Sequence, residues 1–210
     1  MLWMYGVSAL CLFICLPLFM HYKRGVHDRL ATGYKVLGTL CAASLALIAA
    51  LKLDPRCWIC FAGLMLHALA DGFLEYHLYA GAGFFLAGHV CQIAFFTQLF
   101  PISSVHLFCA LGLLAVMAVV YTRWRKAIGK QMPLFIVYGA VLSLMAACAL
   151  AGLTGQTTQG QLIAAGGALF FLSDFMICGR LLFSATRPVD WAIMITYYAA
   201  QLLFGIACLV

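Results

Sequence analysis

Apolar residues run in blocks of about 18–22, separated by short polar stretches, with no strict alternation inside the blocks. As a helix, a block of that length crosses a ~30 Å hydrocarbon core, whereas barrel strands would be shorter and would alternate. The pattern predicts an all-α polytopic transmembrane helical bundle of about eight spans. They are read at about 2–20, 32–51, 57–75, 82–100, 104–122, 133–152, 160–179 and 191–210. Glycine and alanine recur within the spans, which suits close helix packing. The connections are too short to hold a soluble domain, so residues 1–210 are read as a single transmembrane domain.

Composition agrees. Of 210 residues, 66% are hydrophobic and 9% charged. A soluble domain carries about half apolar residues and about a quarter charged ones, so a water-soluble fold is excluded. The net charge of +6 is not a nucleic-acid signal, because the basic residues sit mostly in short loops between apolar runs. Lys23, Arg24, Arg29, Arg123, Arg125, Lys126, Lys130, Arg180 and Arg187 fall in the loops after spans one, five and seven; the opposite loops hold only Lys52 and Arg56. That asymmetry puts the first group in the cytoplasm and both termini on the non-cytoplasmic side. The first span has no basic residue before it, so it reads as a retained helix rather than a signal peptide. The expected location is multi-pass in a membrane, the inner membrane if the cell is bacterial. Ten cysteines are scattered through the spans as small packing residues, and Cys57-Trp-Ile-Cys60 lacks the βαβ context of a redox motif.

Ionisable residues within spans are costly and mark functional sites by default. Lys35, His67, Asp71, His89 and Asp174 are the chief cases, with Tyr138 and Tyr197 at similar depth. From the helical rise, Lys35, Asp71, His89, Asp174 and the two tyrosines lie roughly 5–11 Å below the cytoplasmic boundary, in one shallow layer. Asp71 and Asp174 are the sharpest pair. Two carboxylates in a low-dielectric pocket resist joint ionisation, which leaves an acid beside a carboxylate, the equipment of general acid/base catalysis. His67, Asp71 and Glu75 share one stripe at i, i+4 and i+8, but no H-E-x-x-H or second histidine cluster accompanies them, so no metal is expected. The same Asp/His/Lys layer is also what a small proton-coupled transporter uses, although such sites lie nearer the midplane.

Several stretches together resemble the lysoplasmalogenase (YhhN-like) family. They are Tyr34-Lys35, Leu-Ala-Asp71-Gly-Phe-Leu, Gly-Phe-Phe-Leu-Ala-Gly-His89, Tyr138, Leu-Phe-Phe-Leu-Ser173-Asp174-Phe and Thr-Tyr197-Tyr198-Ala-Ala-Gln201. The chain departs from the family pattern at three points. Val36 replaces a frequent proline, Gln92 stands where an aromatic residue is frequent, and His67 stands where a small polar residue is expected. The resemblance implies an eight-span hydrolase that cleaves the vinyl ether of 1-alkenyl lysophospholipids (ethanolamine or choline) to a fatty aldehyde and a glycerophospho-head group, with no cofactor. Asp71 and Asp174 would be catalytic. Lys35, His89, Tyr138, Ser173, Tyr197, Tyr198 and Gln201 would bind the substrate or orient the acids and water. The partners implied are a lysophospholipid and the lipid bilayer, not a nucleic acid.

Overall fold

The computed structural model describes residues 2–23, 29–183 and 186–210. Among them the chain is helical, with no strand. The order is α1 (Leu2–Ala9), a π turn (Leu10–Cys15), α2 (Leu16–Tyr22), α3 (Arg29–Lys52), α4 (Cys57–Leu74), α5 (Leu78–Leu99), α6 (Ser104–Ile128), α7 (Met132–Leu150), α8 (Thr158–Leu182) and α9 (Arg187–Ala207). Pro17 explains the π turn. It has no N–H for the carbonyl four residues back, and its ring crowds that carbonyl, so the preceding turn widens.

Seven helical segments among the described residues are long and apolar enough to cross a membrane, so this is a multi-pass membrane protein. One of them, Ser104–Gly155, is 52 residues long and contains two helices, α6 and α7. They turn back at Gly129, whose φ of +55° is a conformation that favours glycine. The Tyr121 hydroxyl donates to the Phe135 carbonyl, and a Cβ on Gly139 would meet Met117 and the same hydroxyl. Both contacts are centred near Ile128, as an antiparallel pair requires. With α1 and α2 forming one pass through the π turn, the described chain makes eight helical passes.

The helices overrun the spans read from hydropathy. α6 continues to Ile128, α8 to Leu182, and α9 begins at Arg187. Arg29, Arg123, Arg125, Lys126, Arg180 and Arg187 therefore lie on helix ends rather than in loops. Hydropathy marks only the apolar stretch. A helix keeps its backbone bonded beyond that stretch, while long basic side chains carry their charge out to water. Arg24 and His27 lie outside the described residues.

Two ends of the bundle can be told apart. At one, Lys23 pairs with Glu75 at 3.4 Å, Arg180 with Asp190 at 3.1 Å, and Trp124 packs on Phe183. This is the basic end. At the other, Arg56 bridges Asp54 and the Gln98 carbonyl, and Gln159 donates to the Ala207 carbonyl. Between the ends, large apolar side chains face outward, Phe13 at 77% and Phe108 at 70% exposure. A lipid environment suits such a surface, since the helices satisfy their backbone groups internally.

The interior is built from small residues: Ala42, Ala46, Ala49, Ala149, Ala200 and Ala207 are wholly buried. Gly205 shows how close the helices come, because a Cβ there would lie 2.5 Å from the Ala42 carbonyl oxygen of α3. Backbone cannot step aside as a side-chain tip can. Gly205→Ala should therefore cost about 1–3 kcal/mol, the usual penalty of overpacking, and lower the Tm in detergent. An unchanged Tm would show that α3 and α9 have slack at this crossing.

Candidate functional site

Six helices (α3, α4, α5, α7, α8 and α9) bring polar side chains together nearer the basic end. Asp71 lies three residues before the end of α4, Tyr138 six into α7 and Asp174 eight before the end of α8. Tyr138 and Asp174 have apolar or small neighbours one turn away, whereas Asp71 shares its stripe with His67 and Glu75, and the helix turns that polar stripe toward the bundle rather than toward lipid.

The layer divides into two carboxylate centres. In the first, Asp71 is wholly buried. Its Oδ2 accepts hydrogen bonds from Thr39 at 2.5 Å and Tyr197 at 2.8 Å. Its Oδ1 faces the Lys35 ammonium at 3.2 Å. Lys35 does not snorkel to the interface; its side chain is 9% exposed and spends its charge on Asp71. In the second centre the Tyr138 hydroxyl donates to Asp174 Oδ2 at 2.5 Å. His89 Nε2 lies 3.3 Å from that hydroxyl and 3.9 Å from Asp174 Oδ2. Since Tyr138 gives its proton to Asp174, it accepts from His89, which assigns the His89 proton to Nε2.

Phe85 and Phe170 stand between the centres. Phe170 packs on His89 at 4.8 Å and Tyr197 at 5.5 Å between ring centroids, and Phe85 on Tyr197 at 6.0 Å. Asp174 remains within electrostatic reach of both Lys35 and Asp71. The remaining candidates act at one remove. Gln201 meets His67 Nδ1 with its amide nitrogen at 3.1 Å. Ser173 donates to the Ile193 carbonyl and Tyr198 to the carbonyls of Tyr34 and Lys35. These two therefore fix α8 and α3 against α9 and touch neither carboxylate. Gly38 makes room for the Tyr198 ring, which a Cβ would approach to 2.7 Å.

The centres differ in access. An apolar groove is lined by Leu78, Ala82, Phe135, Leu142, Phe175 and Leu181, with Asp174 and Tyr138 among its walls. Asp71 is not among its lining residues. Lys23, Glu75 and Arg180 sit at the same end of the bundle. Burial pushes the Lys23 ammonium below its ordinary pKa, and the Glu75 carboxylate opposes that shift. Among the described residues no group of three or more His, Cys, Asp or Glu side chains is arranged to hold a metal ion. Cys57 and Cys60 donate to the carbonyls of Cys208 and Phe204 as free thiols, which is packing.

A family model matches most of the chain: the YhhN family matches residues 30–207, well over half of it. The chain belongs to the YhhN family. This is the family of lysoplasmalogenases. No curated protein and no solved structure matches the chain. The YhhN match begins at α3 and takes in both carboxylate centres, while α1 and α2 precede it.

Sequence reasoning missed Thr39, Phe85 and Phe170. Thr39 follows Lys35 by four residues on α3, so helical spacing already places it beside Lys35's partner. The two phenylalanines fall inside the family-like stretches before His89 and Ser173, but their place between the centres has no signal of its own, because a ring in an apolar run is indistinguishable from core.

Proposed function

We propose that this YhhN protein hydrolyses the vinyl ether of 1-alkenyl lysophospholipids by acid/base catalysis in the membrane. The observation that carries the reading is that Asp174, held by Tyr138, forms part of the wall of an apolar groove, while Asp71 lies behind it, ion-paired to Lys35. A groove lined by leucine and phenylalanine suits an alkenyl chain. A lysophospholipid lying in the bilayer keeps its phosphate at the interface and its vinyl ether just beneath, at the level of the layer. Arg180 and Lys23, which pair with Asp190 and Glu75 at the basic end, would meet the phosphate in this reading.

In this reading the protonated Asp174 gives its proton to the alkene carbon remote from the ether oxygen. The electron pair of the double bond forms the new C–H bond, and the positive charge passes to an oxocarbenium ion. Carboxylate charge stabilises that cation as it does in glycoside hydrolysis. Water then adds, losing a proton to a carboxylate, and the hemiacetal collapses to fatty aldehyde and glycerophospho-alcohol. Asp71 serves as the second carboxylate, its charge balanced by Lys35 and oriented by Thr39 and Tyr197. His89 holds Tyr138, and Gln201 holds His67. The reaction takes place on the cytoplasmic side if the basic residues mark that side. The helices that carry the site run through its level without a break, unlike the broken helices at transporter midplane sites.

The test is aldehyde release by the purified protein from a 1-alkenyl lysophospholipid, with the 1-acyl analogue as control. Aldehyde is expected from the alkenyl lipid alone. A well-folded protein that releases none would remove the reading.

A further inference from the structure

The crossing of α4 and α5 holds polar groups that the mechanism above does not use. His67 and Gln92 are wholly buried, as is His89. Four of their atoms, His67 Nε2, His89 Nδ1, and Gln92 Nε2 and Oε1, have no hydrogen-bond partner among the protein atoms. They are close together. The His67 and His89 ring centroids are 5.0 Å apart. A Cβ on Gly88 would fall 2.5 Å from His67 Nε2, so that edge of the ring rests on the residue before His89. One turn along the crossing, a Cβ on Gly63 would fall 3.0 Å from Gln92 Nε2. His67 and Gly63 are four apart on α4, and His89 and Gln92 three apart on α5, so all four face one another across the same seam.

Leaving buried donors and acceptors unpaired costs about 1–3 kcal/mol each, and folded proteins usually satisfy such groups with ordered water. The polarities here also agree with one another. His89 carries its proton on Nε2 toward Tyr138, so its Nδ1 is an acceptor. Gln201 meets His67 Nδ1 with its amide nitrogen at 3.1 Å and its carbonyl oxygen at 3.3 Å; with the nearer nitrogen donating, the His67 proton is on Nε2, a donor. A donor and an acceptor on rings in contact, with a carboxamide one turn away, is the setting for a bridging water.

We infer that an ordered water binds in the α4–α5 seam between His67 Nε2–H, His89 Nδ1 and the Gln92 carboxamide, and that through it His67 holds His89 in the tautomer that serves Tyr138 and Asp174. The water site stands on the buried geometry alone. Only its service to catalysis rests on the function proposed above. His67 is then a positioning residue that acts through water, His89 and Tyr138 on the acid. The Phe85 carbonyl also lies near the His67 ring. A carbonyl has a second lone pair, so a direct bond from His67 to Phe85 is the competing arrangement, and the water-transfer experiment below separates the two.

The test uses the full chain, labelled with ¹⁵N-histidine, in lipid nanodiscs without substrate. Ring correlations should show both histidines neutral with the proton on Nε2, and the His67 ring N–H should receive magnetisation from water. His67→Phe, which keeps the ring and removes its nitrogens, should release His89 into a mixture of tautomers. If that variant does not fold, Gln92→Leu should abolish the water transfer while leaving the helices in place. No water transfer to His67, as direct bonding to Phe85 would give, overturns the site. A His89 tautomer unchanged in His67→Phe overturns the positioning role. With substrate, His67→Phe should lower kcat about tenfold at unchanged KM, below the ~10²-fold of a direct acid, and an unaltered kcat also overturns that role. If the wild type releases no aldehyde, the functional reading falls, and the nanodisc spectra still decide the water site.

Discussion

Asp174→Asn should lower kcat for aldehyde release by about 10³-fold or more while KM and Tm change little. Asparagine has nearly the same shape, and its carbonyl still accepts the Tyr138 hydroxyl that now lies 2.5 Å from Oδ2. What it lacks is a proton to give to carbon. Proton transfer by a positioned side chain contributes about 10²–10⁴-fold, and no other acid among the described residues that line the groove can replace it. Tyr138→Phe offers a graded comparison. It keeps the acid and loses only its orientation, so a fall of about tenfold is expected, within the range of a single lost neutral hydrogen bond. Steady-state kinetics in detergent, with the melting temperature measured on the same samples, checks both. An Asp174→Asn protein that releases aldehyde at the wild-type rate would take the acid role away from Asp174.

The second large effect is on stability. Lys35→Met should destabilise the protein by about 3–5 kcal/mol, because it leaves the Asp71 carboxylate buried without its cation. The pair is secluded enough for that cost to apply. The two side chains are 9% and 0% exposed, and their charged atoms lie 3.2 Å apart. Thr39 and Tyr197 both bond to Oδ2, so neither can replace the ammonium facing Oδ1. Removing both charges in Lys35→Met/Asp71→Asn should recover most of the loss, since the penalty belongs to the unpaired charge. Thermal unfolding of the two single variants and the double variant measures this directly. Additive losses would mean that the two groups do not interact across the 3.2 Å gap.

Much of the candidate site could be read along the chain because of where charge is tolerated. A carboxylate in an apolar run stands out against its neighbours, so Asp71 and Asp174 are visible from sequence, and so is Lys35. Helical rise alone gives Asp71, Tyr138 and Asp174 their common level, because depth along a helix is set by residue number. The placement of the basic residues in loops was less accurate. The helices carry Arg125, Lys126 and Arg180, since hydropathy marks where lipid ends and not where the helix does.

The sequence by itself determined an all-helical membrane protein, the order of its passes, the layer of polar residues and, through the YhhN match over 30–207, its family. These follow from local quantities: apolar length, charge at run ends and motif order. Only the tertiary structure decided how the layer is divided. It set Asp71 against Lys35, Thr39 and Tyr197, gave Asp174 to Tyr138 and His89, and opened the groove to Asp174 alone of the two acids. It also turned His67 and Gln92 toward one seam. The reason is rotational. Depth follows from counting residues, but which face of each helix meets which neighbour depends on small residues such as Gly38, Gly63, Gly88 and Gly205, and their close contacts exist only once the bundle is packed.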